Sequence, residues 1–389
     1  MTDYFCSQVP PEKSGGILNV RFCGGAQAGH TVVSPGGLRH VFSHFGAGTF
    51  NKNVATYLGR DFVANPILFW REYGELARFG IRPKVYIHPG CMVTLPFDMM
   101  VNQMIERHRA DKRHGSCGLG INETLVRNSS LKIANVISNT AVNPYLDDFM
   151  NTVRAEYSFS RLKELGAGQM SAQDAALFYN QTIQKNYIAQ FNDMLGYCEI
   201  VGDEILDRYE NIVFEGAQGL LLDKNNLSFF PNLTPSNTGL NNVLLMLYQL
   251  GPHWDRFNDI EICYVTRSYF TRHGAGFFPS ECKKEAIAEG FVYTIDKTNH
   301  YNEFQGDFRY GYFDRELFLK TVKKDLAKAK GRKAKVSLAV THLDETSGLV
   351  AQGTTTRLGP EELSGEAGIF ESVYGSYGPT RDAVKQGAT

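Results

Sequence analysis

Short apolar runs of β-strand character alternate with amphipathic helical stretches along the whole chain, and this alternation limits its fold more than any other feature. "ILNVRFC" (17–23) predicts a strand, and "TVVSPGGLRHVFSHF" (31–45) predicts two short strands about a Pro-Gly-Gly turn. "NPILFWREYGELARFG" (65–80) predicts a helix with Pro66 in its first turn and Gly80 at its stop. "KVYIH" (84–88) reads as a strand, "PFDMMVNQMIERHRADK" (96–112) as a helix, 171–209 as mostly helical, and "IVFEGAQG" (212–219) as a strand entering a turn. "TGLNNVLLMLYQL" (238–250) and "RELFLKTVKKDLAKAKG" (315–331) predict helices; "DIEICYVTRSY" (259–269) and "KVSLAVTHLD" (335–344) predict strands. The expected class is therefore α/β, with a large, mostly parallel central sheet flanked by helices. No repeat, low-complexity tract or linker interrupts the pattern, so residues 1–389 are expected to form a single domain with insertions.

In such sheets ligands lie beyond the carboxyl ends of the strands. Four predicted strands end in "GGAQAGHT", "EGAQG", "TRSYFTRHGAG" and "THLD", runs of glycine, polar and charged residues that could converge on one crevice. Composition limits what that crevice could take. Forty basic and 41 acidic residues leave a net charge of −1, so no basic field exists to grip a nucleic acid, while a local cluster could still hold one nucleotide. The seven cysteines are scattered, without a CxxC pair, which suits reduced thiols in the cytoplasm. No run of about 18 apolar residues suggests a membrane span. The first residues lack the basic start and apolar run of a signal peptide.

Each candidate group has a plain reading and a chemical one. His30 follows a run of small residues that would let a ligand approach, or it is packed in a turn. "HGSCGLGIN" (114–122) could form a nest of N–H groups for an anion, with Ser116 and Cys117 adding donors, or an ordinary loop. Gln218 could read a base or ribose edge. Thr234 and Thr238 precede a predicted helix, where they could cap it or help hold a phosphate. Arg309 lies in a glycine-containing loop, "NEFQGDFRYGYFD" (302–314), where a guanidinium suits a carboxylate or phosphate. Asp344 could accept two N–H groups from a guanine-like edge or cap the next element.

Taken in order, these segments resemble the adenylosuccinate synthetase family over about residues 2 to 381. "GGAQAGHT" looks like its "GGxNAGHT", "GSCGLGI" like "TTGRGIG", and "FEGAQGLLLD" like "FEGAQGxxLD". "TRSYFTRHGAGFFPSE" is similar to "KAYxTRVGxGPFPTE", "VTHLD" to "LTKLD", and "SYGPTR" (376–381) to "STGPxR". The family joins the amine of aspartate to C6 of a 6-oxopurine nucleotide after phosphorylating O6. The resemblance implies that His30 is the catalytic histidine at the departing oxygen and that Gly29 offers its carbonyl to Mg²⁺. It assigns Gln27, Ser116, Cys117, Gln218, Thr234 and His273 to the purine nucleotide, and Arg127 to a neighbouring subunit's nucleotide, hence a homodimer. Gln305, Gly306 and Arg309 would meet L-aspartate. His342, Asp344, Ser376 and Gly378 would meet the base of the phosphate donor.

Three departures refine the expectation. The family's "GDEGKG" phosphate loop, which carries its general base and a phosphate-binding lysine, has no counterpart here, and "MTDYFCSQVPP" looks like the helix that follows it. The reading adopted is a missed upstream start, and the chain as given is expected to show little activity. The short "NEFQGDFRYGYFD" loop and "SHFGAGTF" (43–50) look like the bacteriophage branch, which uses dGMP and makes 2-aminoadenine nucleotides. His342 replaces the lysine of "TKLD", which favours ATP or dATP as donor. The alternatives are an IMP- and GTP-using enzyme, and a nucleotide-binding homologue without catalysis.

Overall fold

The computed structural model describes residues 1–10, 15–130, 137, 145–252, 257, 259–287, 298–299, 301–353 and 357–387. Helix α1 (Thr2–Ser7) precedes β1 (Ile17–Arg21). A hairpin of β2 (His30–Val33) and β3 (Arg39–Phe42) follows, turning at the Pro-Gly-Gly expected to turn it. Next come β4 (Val54–Leu58), α2 (Pro66–Arg78), β5 (Lys84–Ile87), α3 (Pro96–Arg109) and α4 (Ile121–Ser130). The order continues through α5 (Gln181–Tyr197), β6 (Glu199–Ile200), β7 (Asn211–Glu215), α6 (Asn241–Gln249), β8 (Glu261–Arg267) and β9 (Phe270–Arg272). It closes with β10 (Arg309–Gly311), α7 (Arg315–Leu326), β11 (Lys335–Thr341), β12 (Ser372–Ser376) and β13 (Val384–Gly387).

The expected mostly parallel α/β architecture is present, with its parallel strands in two hydrogen-bonded sets. The first has the order β7-β1-β4-β5-β6, every pair parallel; the second has the order β8-β11-β12-β13, with only β13 antiparallel. Among the described residues β7 pairs only with β1, and β8 only with β11. Helix α1 spans these sets: Cys6 packs with Ile17 and Val54, while Phe5 meets the ring of Tyr374 edge-on at 5.2 Å. A small antiparallel sheet sets β10 between β9 and Glu281–Cys282.

Local chemistry explains the elements that place the site. All five residues of β1 and of β4 are buried, as parallel strands covered on both faces require. One face packs Leu18, Val20, Tyr57 and Tyr86; the other packs Phe42, Phe45, Leu58, Phe69 and Ile87. Asn65 caps α2 by accepting the N–H groups of Ile67 and Leu68, with Pro66 at the first helical position. Helix α6 starts later than the sequence suggested, at Asn241, because Thr238 and Leu240 give their N–H groups to Asp223 and Asp325. Strand β11 stops at Thr341 because His342 turns left-handed, at φ 63°, into a short helix at Leu343–Thr346.

Candidate active site

Strands β1 and β7 bring a charge each to their carboxyl ends: Arg21 lies directly beside Glu215 in the parallel register. Arg21 is fully buried, and its Nη1 lies 3.6 Å from Glu215 Oε1. The other partner of Glu215 is His30, whose Nδ1 is in close contact with Oε1. Glu215 Oε2 accepts the N–H of Ala47 at 2.9 Å. Burial alone would raise the Glu215 carboxyl; Arg21, His30 and the Ala47 N–H outweigh it and hold the group down to about 2. An ionised Glu215 makes Nδ1 the protonated nitrogen of His30. Nε2, whose nearest acceptor is Ala217 O at 3.5 Å, is then the nitrogen that can take or give a proton. His30 is thus oriented by its contact with Glu215. Neither Arg21 nor Glu215 was singled out from the sequence. The usable signal was a charged residue closing each of two apolar strands, since a charge at a buried strand end has to be paired.

The predicted nucleotide residues gather around this row. Gly24 has φ 72°, and a Cβ there would collide with Ala217, so only glycine lets the turn after β1 lie against the turn after β7. The Gln27 and Gln218 side chains flank that contact, and the Oε1 atom of each is buried without a hydrogen-bond partner. Gly25 packs on Ile121, the first residue of α4, which links the turn to the 114–122 loop. Thr234 is buried, and its N–H reaches Leu222 O, three residues after the Gln218 turn.

The anion nest expected at 114–122 is filled from within. Gly115 and Ser116 direct their N–H groups to the buried carboxylate of Glu106, at 2.9 and 3.3 Å. Ser116 Oγ and the Gly120 N–H both go to Asn102 Oδ1, and Gly118 donates to Ser116 Oγ. Cys117 is half-buried, and burial raises its thiol. Thr234 and Thr238 do not cap α6, since the N–H and Oγ1 of Thr238 turn to Asp223.

Two arginines depart from expectation. Arg127 is fully buried rather than extended toward a neighbouring subunit: Nε and Nη2 form a two-pronged pair with Asp98, each at 2.8 Å, and Nη2 also reaches Val93 O. Arg309 is occupied as well. It donates to both carboxylate oxygens of Glu281, at 2.7 and 2.5 Å, and to the carbonyls of Gly274 and Gly276. Its fork therefore ties the 274–276 loop instead of standing free for an aspartate carboxylate. Beside it, Asp307, Lys283, Lys284 and Tyr310 help line a cleft of about 480 Å³. His273 Nε2 meets Asn299 Oδ1 at 2.8 Å, and the ring lies on Phe308. Gln305 and Gly306 turn back on Asn302, whose Oδ1 and O accept their N–H groups. This region joins the nucleotide loops, because Gly115 packs against Gly274 and Ala275 and the Asn232 side chain reaches His114 O.

The predicted donor-base residues sit at the carboxyl ends of β11 and β12, which pair in parallel. His342 Nδ1 lies 3.1 Å from Glu345 Oε1, Asp344 is exposed, and Ser376 Oγ donates to Gly378 O. A backbone bridge between Val33 and Thr380 ties this loop to the hairpin that carries His30. The candidate groups thus connect through contacts into one region at the strand ends. Gly29 is exposed next to His30, and no group of three or more His, Cys, Asp or Glu able to hold a metal occurs among the described residues. No helix among the described residues is long and apolar enough to cross a membrane.

Comparison with known proteins gives a consistent picture. The adenylosuccinate synthetase family profile matches residues 16–349. The chain is 27% identical to adenylosuccinate synthetase of Acinetobacter baylyi over 322 residues, 78% of this chain and 68% of that one. It is 29% identical to the Burkholderia thailandensis synthetase over 280 residues, 67% of this chain and 56% of that one. The fold is similar to that of fully ligated adenylosuccinate synthetase from Plasmodium falciparum, with a TM-score of 0.64 at 18% identity, covering 98% of this chain and 95% of that one. It is also similar to cyanophage S-2L succinoaminodeoxyadenylate synthetase, solved with dGMP and with dATP as energy donor, with a TM-score of 0.58 at 15% identity, covering 100% and 91%. The profile match over most of its length, with the ordered strand-end motifs now placed together, establishes that this chain belongs to the adenylosuccinate synthetase family, a family of C–N bond-forming ligases.

Proposed function

We propose that this protein joins the amine of L-aspartate to C6 of a 6-oxopurine nucleotide, with dGMP as the preferred substrate and ATP or dATP as phosphate donor. The reading is carried by one observation: His30, backed by Glu215 and Arg21, reaches the carbonyl of Ala217, and the contact of Ala217 with Gly24 is flanked by Gln27 and Gln218, whose buried amide oxygens have no partner. A buried amide without a partner is costly unless a ligand supplies one. A purine nucleotide offers both donors and acceptors for such edges.

The chemical difficulty is the leaving group, since a ring oxygen does not depart as oxide. The ring gives its N1 proton to a general base, the part the family assigns to its phosphate loop, and O6 attacks the terminal phosphorus of the donor and displaces the nucleoside diphosphate. The aspartate amine then adds at C6, loses a proton, and expels O6 as phosphate. His30 Nε2 is the group that hydrogen-bonds O6 as negative charge gathers on it, and Glu215 stabilises the imidazolium form that donates this bond. Magnesium would come with the donor's phosphates and neutralise their charge, as hard cations do with few protein ligands. The exposed Gly29 carbonyl beside His30 fits that limited role.

The preference for dGMP is supported by the compact 302–306 turn, by His342 at the donor-base end, and by the likeness to a phage protein solved with dGMP and dATP. The test is a product assay with aspartate and Mg²⁺ on the chain extended by the family's phosphate loop, crossing dGMP and IMP with ATP, dATP and GTP. Succinylated product from dGMP with ATP or dATP is expected. Product from IMP with none from dGMP overturns the preference, and dGMP binding without phosphate release overturns the ligase reading.

A further inference from the structure

We propose that Glu72, on helix α2 and outside the strand-end site, is a positioning residue for His30, acting through the strap of residues 43–47; this rests on His30 being the reacting residue. "SHFGA" opens the phage-like segment noted in the sequence, and of its residues Ala47 already serves the site through its N–H bond to Glu215. In the register of the hairpin, His30 lies opposite Phe42, and the chain leaves Phe42 directly into Ser43 and His44. Glu72 is buried and accepts three hydrogen bonds from those two residues: the Ser43 N–H at 3.0 Å, the Ser43 hydroxyl at 2.6 Å and the His44 N–H at 2.7 Å.

The same carboxylate lies 3.5 Å from His40 Nε2 on β3 and 3.8 Å from His44 Nδ1. His44 Nε2 in turn accepts the N–H of Asn65, the cap of α2. Helix α2 therefore grips the root of the hairpin at several points. The far end of the strap is fixed to the reacting row itself. Phe45 O accepts from Arg21, the Gly46 N–H goes to Thr56, and the Ala47 N–H goes to Glu215. A five-residue strap with Glu72 at one end and Glu215 at the other sets the distance between β3 and the Glu215 carboxylate. That distance decides whether His30 Nδ1 meets Glu215.

The consequence is specific. Loosening Glu72 frees the hairpin root, and His30 loses Glu215 although neither His30 nor Glu215 has changed. A misplacement of about 1 Å at a reacting group can cost on the order of 10²-fold in rate. A merely structural Glu72 would alter stability and leave the His30 contact intact.

The experiment uses the full chain with ¹⁵N-labelled histidine for the resonance, and the same chain extended by the family's phosphate loop for turnover. The low-field Nδ1–H resonance of His30 is assigned by its disappearance in His30→Ala, and turnover with dGMP, aspartate and ATP is followed in parallel. Glu72→Ala is expected to lose the resonance and to lower kcat by roughly 10–10²-fold with KM for dGMP nearly unchanged, and Glu72→Asp to restore part of both. If Glu72→Ala does not fold, Ser43→Ala, which removes one of the three bonds, is expected to broaden the same resonance. A folded Glu72→Ala or Ser43→Ala that keeps the resonance at full intensity overturns the inference. A His30→Ala enzyme with undiminished turnover overturns the role of His30 in the reaction instead, and the effect of Glu72 on the resonance is read separately from it.

Discussion

Arg21 and Glu215 occupy paired positions of two parallel strands, and their side chains meet at 3.6 Å with neither reaching solvent. A buried pair of this kind is costly to break from one side, because the remaining charge has no partner. Arg21→Met is expected to destabilise the protein by about 3–5 kcal/mol. The double variant Arg21→Met/Glu215→Gln should recover part of that loss. Urea unfolding of Arg21→Met, Glu215→Gln and the double variant against the parent measures it, and additive losses would contradict the pairing.

The acid response follows from two buried groups. Glu215 titrates near 2 in the folded state against an ordinary 4.5, so its stabilisation is present above 4.5 and is lost as pH falls toward 2. His44 is pushed down to about 4 from 6.5, first by burial and further by Arg21, although Glu72 opposes the shift. The unfolded chain therefore takes up the His44 proton first, and stability drains between pH 6.5 and 4. Each group contributes roughly 3 kcal/mol over its window. Unfolding free energies from pH 7 to 3 should fall in two overlapping stages, and His44→Gln should flatten the upper one.

In the chain extended by the family's phosphate loop, His30→Ala and Glu215→Gln should lower turnover by roughly 10²–10⁴-fold, with smaller changes in KM. The two effects should not add, since Glu215 acts only through His30. Steady-state rates of both single variants and the double variant check this.

Arg309→Lys and Glu281→Gln should move aspartate use in the same direction. If the guanidinium ties the 274–276 loop, breaking either side loosens that loop, and KM for aspartate rises by about tenfold, equivalent to roughly 1.4 kcal/mol. Were Arg309 a direct ligand for the amino acid, Glu281→Gln would release its fork and lower that KM. Aspartate titrations of the two variants distinguish these outcomes.

Gly46→Ala should be destabilising by about 1–3 kcal/mol, the usual cost of overfilling a packed site. A Cβ at Gly46 would collide with the buried side chain of Asn19. Thermal unfolding of Gly46→Ala alone and with Asn19→Ala tests it, since the second change opens the space.

The strand–helix alternation carried most of this architecture because burial on both faces of β1 and β4 leaves a nearly continuous apolar signature. Boundaries were harder to place. Thr238 reads like a cap, yet Asp223, fifteen residues earlier, claims it, and sequence spacing cannot reveal such a distant partner. The small residues around His30 and Gln218 stood out in the sequence, and they let the turns after β1 and β7 lie against each other. The acids that occupy Arg127 and Arg309, Asp98 and Glu281, lie 29 and 28 residues away, so sequence spacing could not reveal them. Glu72 and Glu106 left no motif at all, since each works by accepting backbone N–H groups, and those carry no side-chain identity.

Residues 35–38, at the tip of the hairpin, are exposed, while its two strands lead inward to His30 and Phe42 and touch Thr380 through Val33. The tip is thus an external lever on an internal fulcrum. A spectroscopic label attached there would hang in water, clear of the chemistry, yet ride on the same ribbon as the imidazole. Occupancy at either nucleotide's end of the molecule could then be read from outside without altering a single group that does the work.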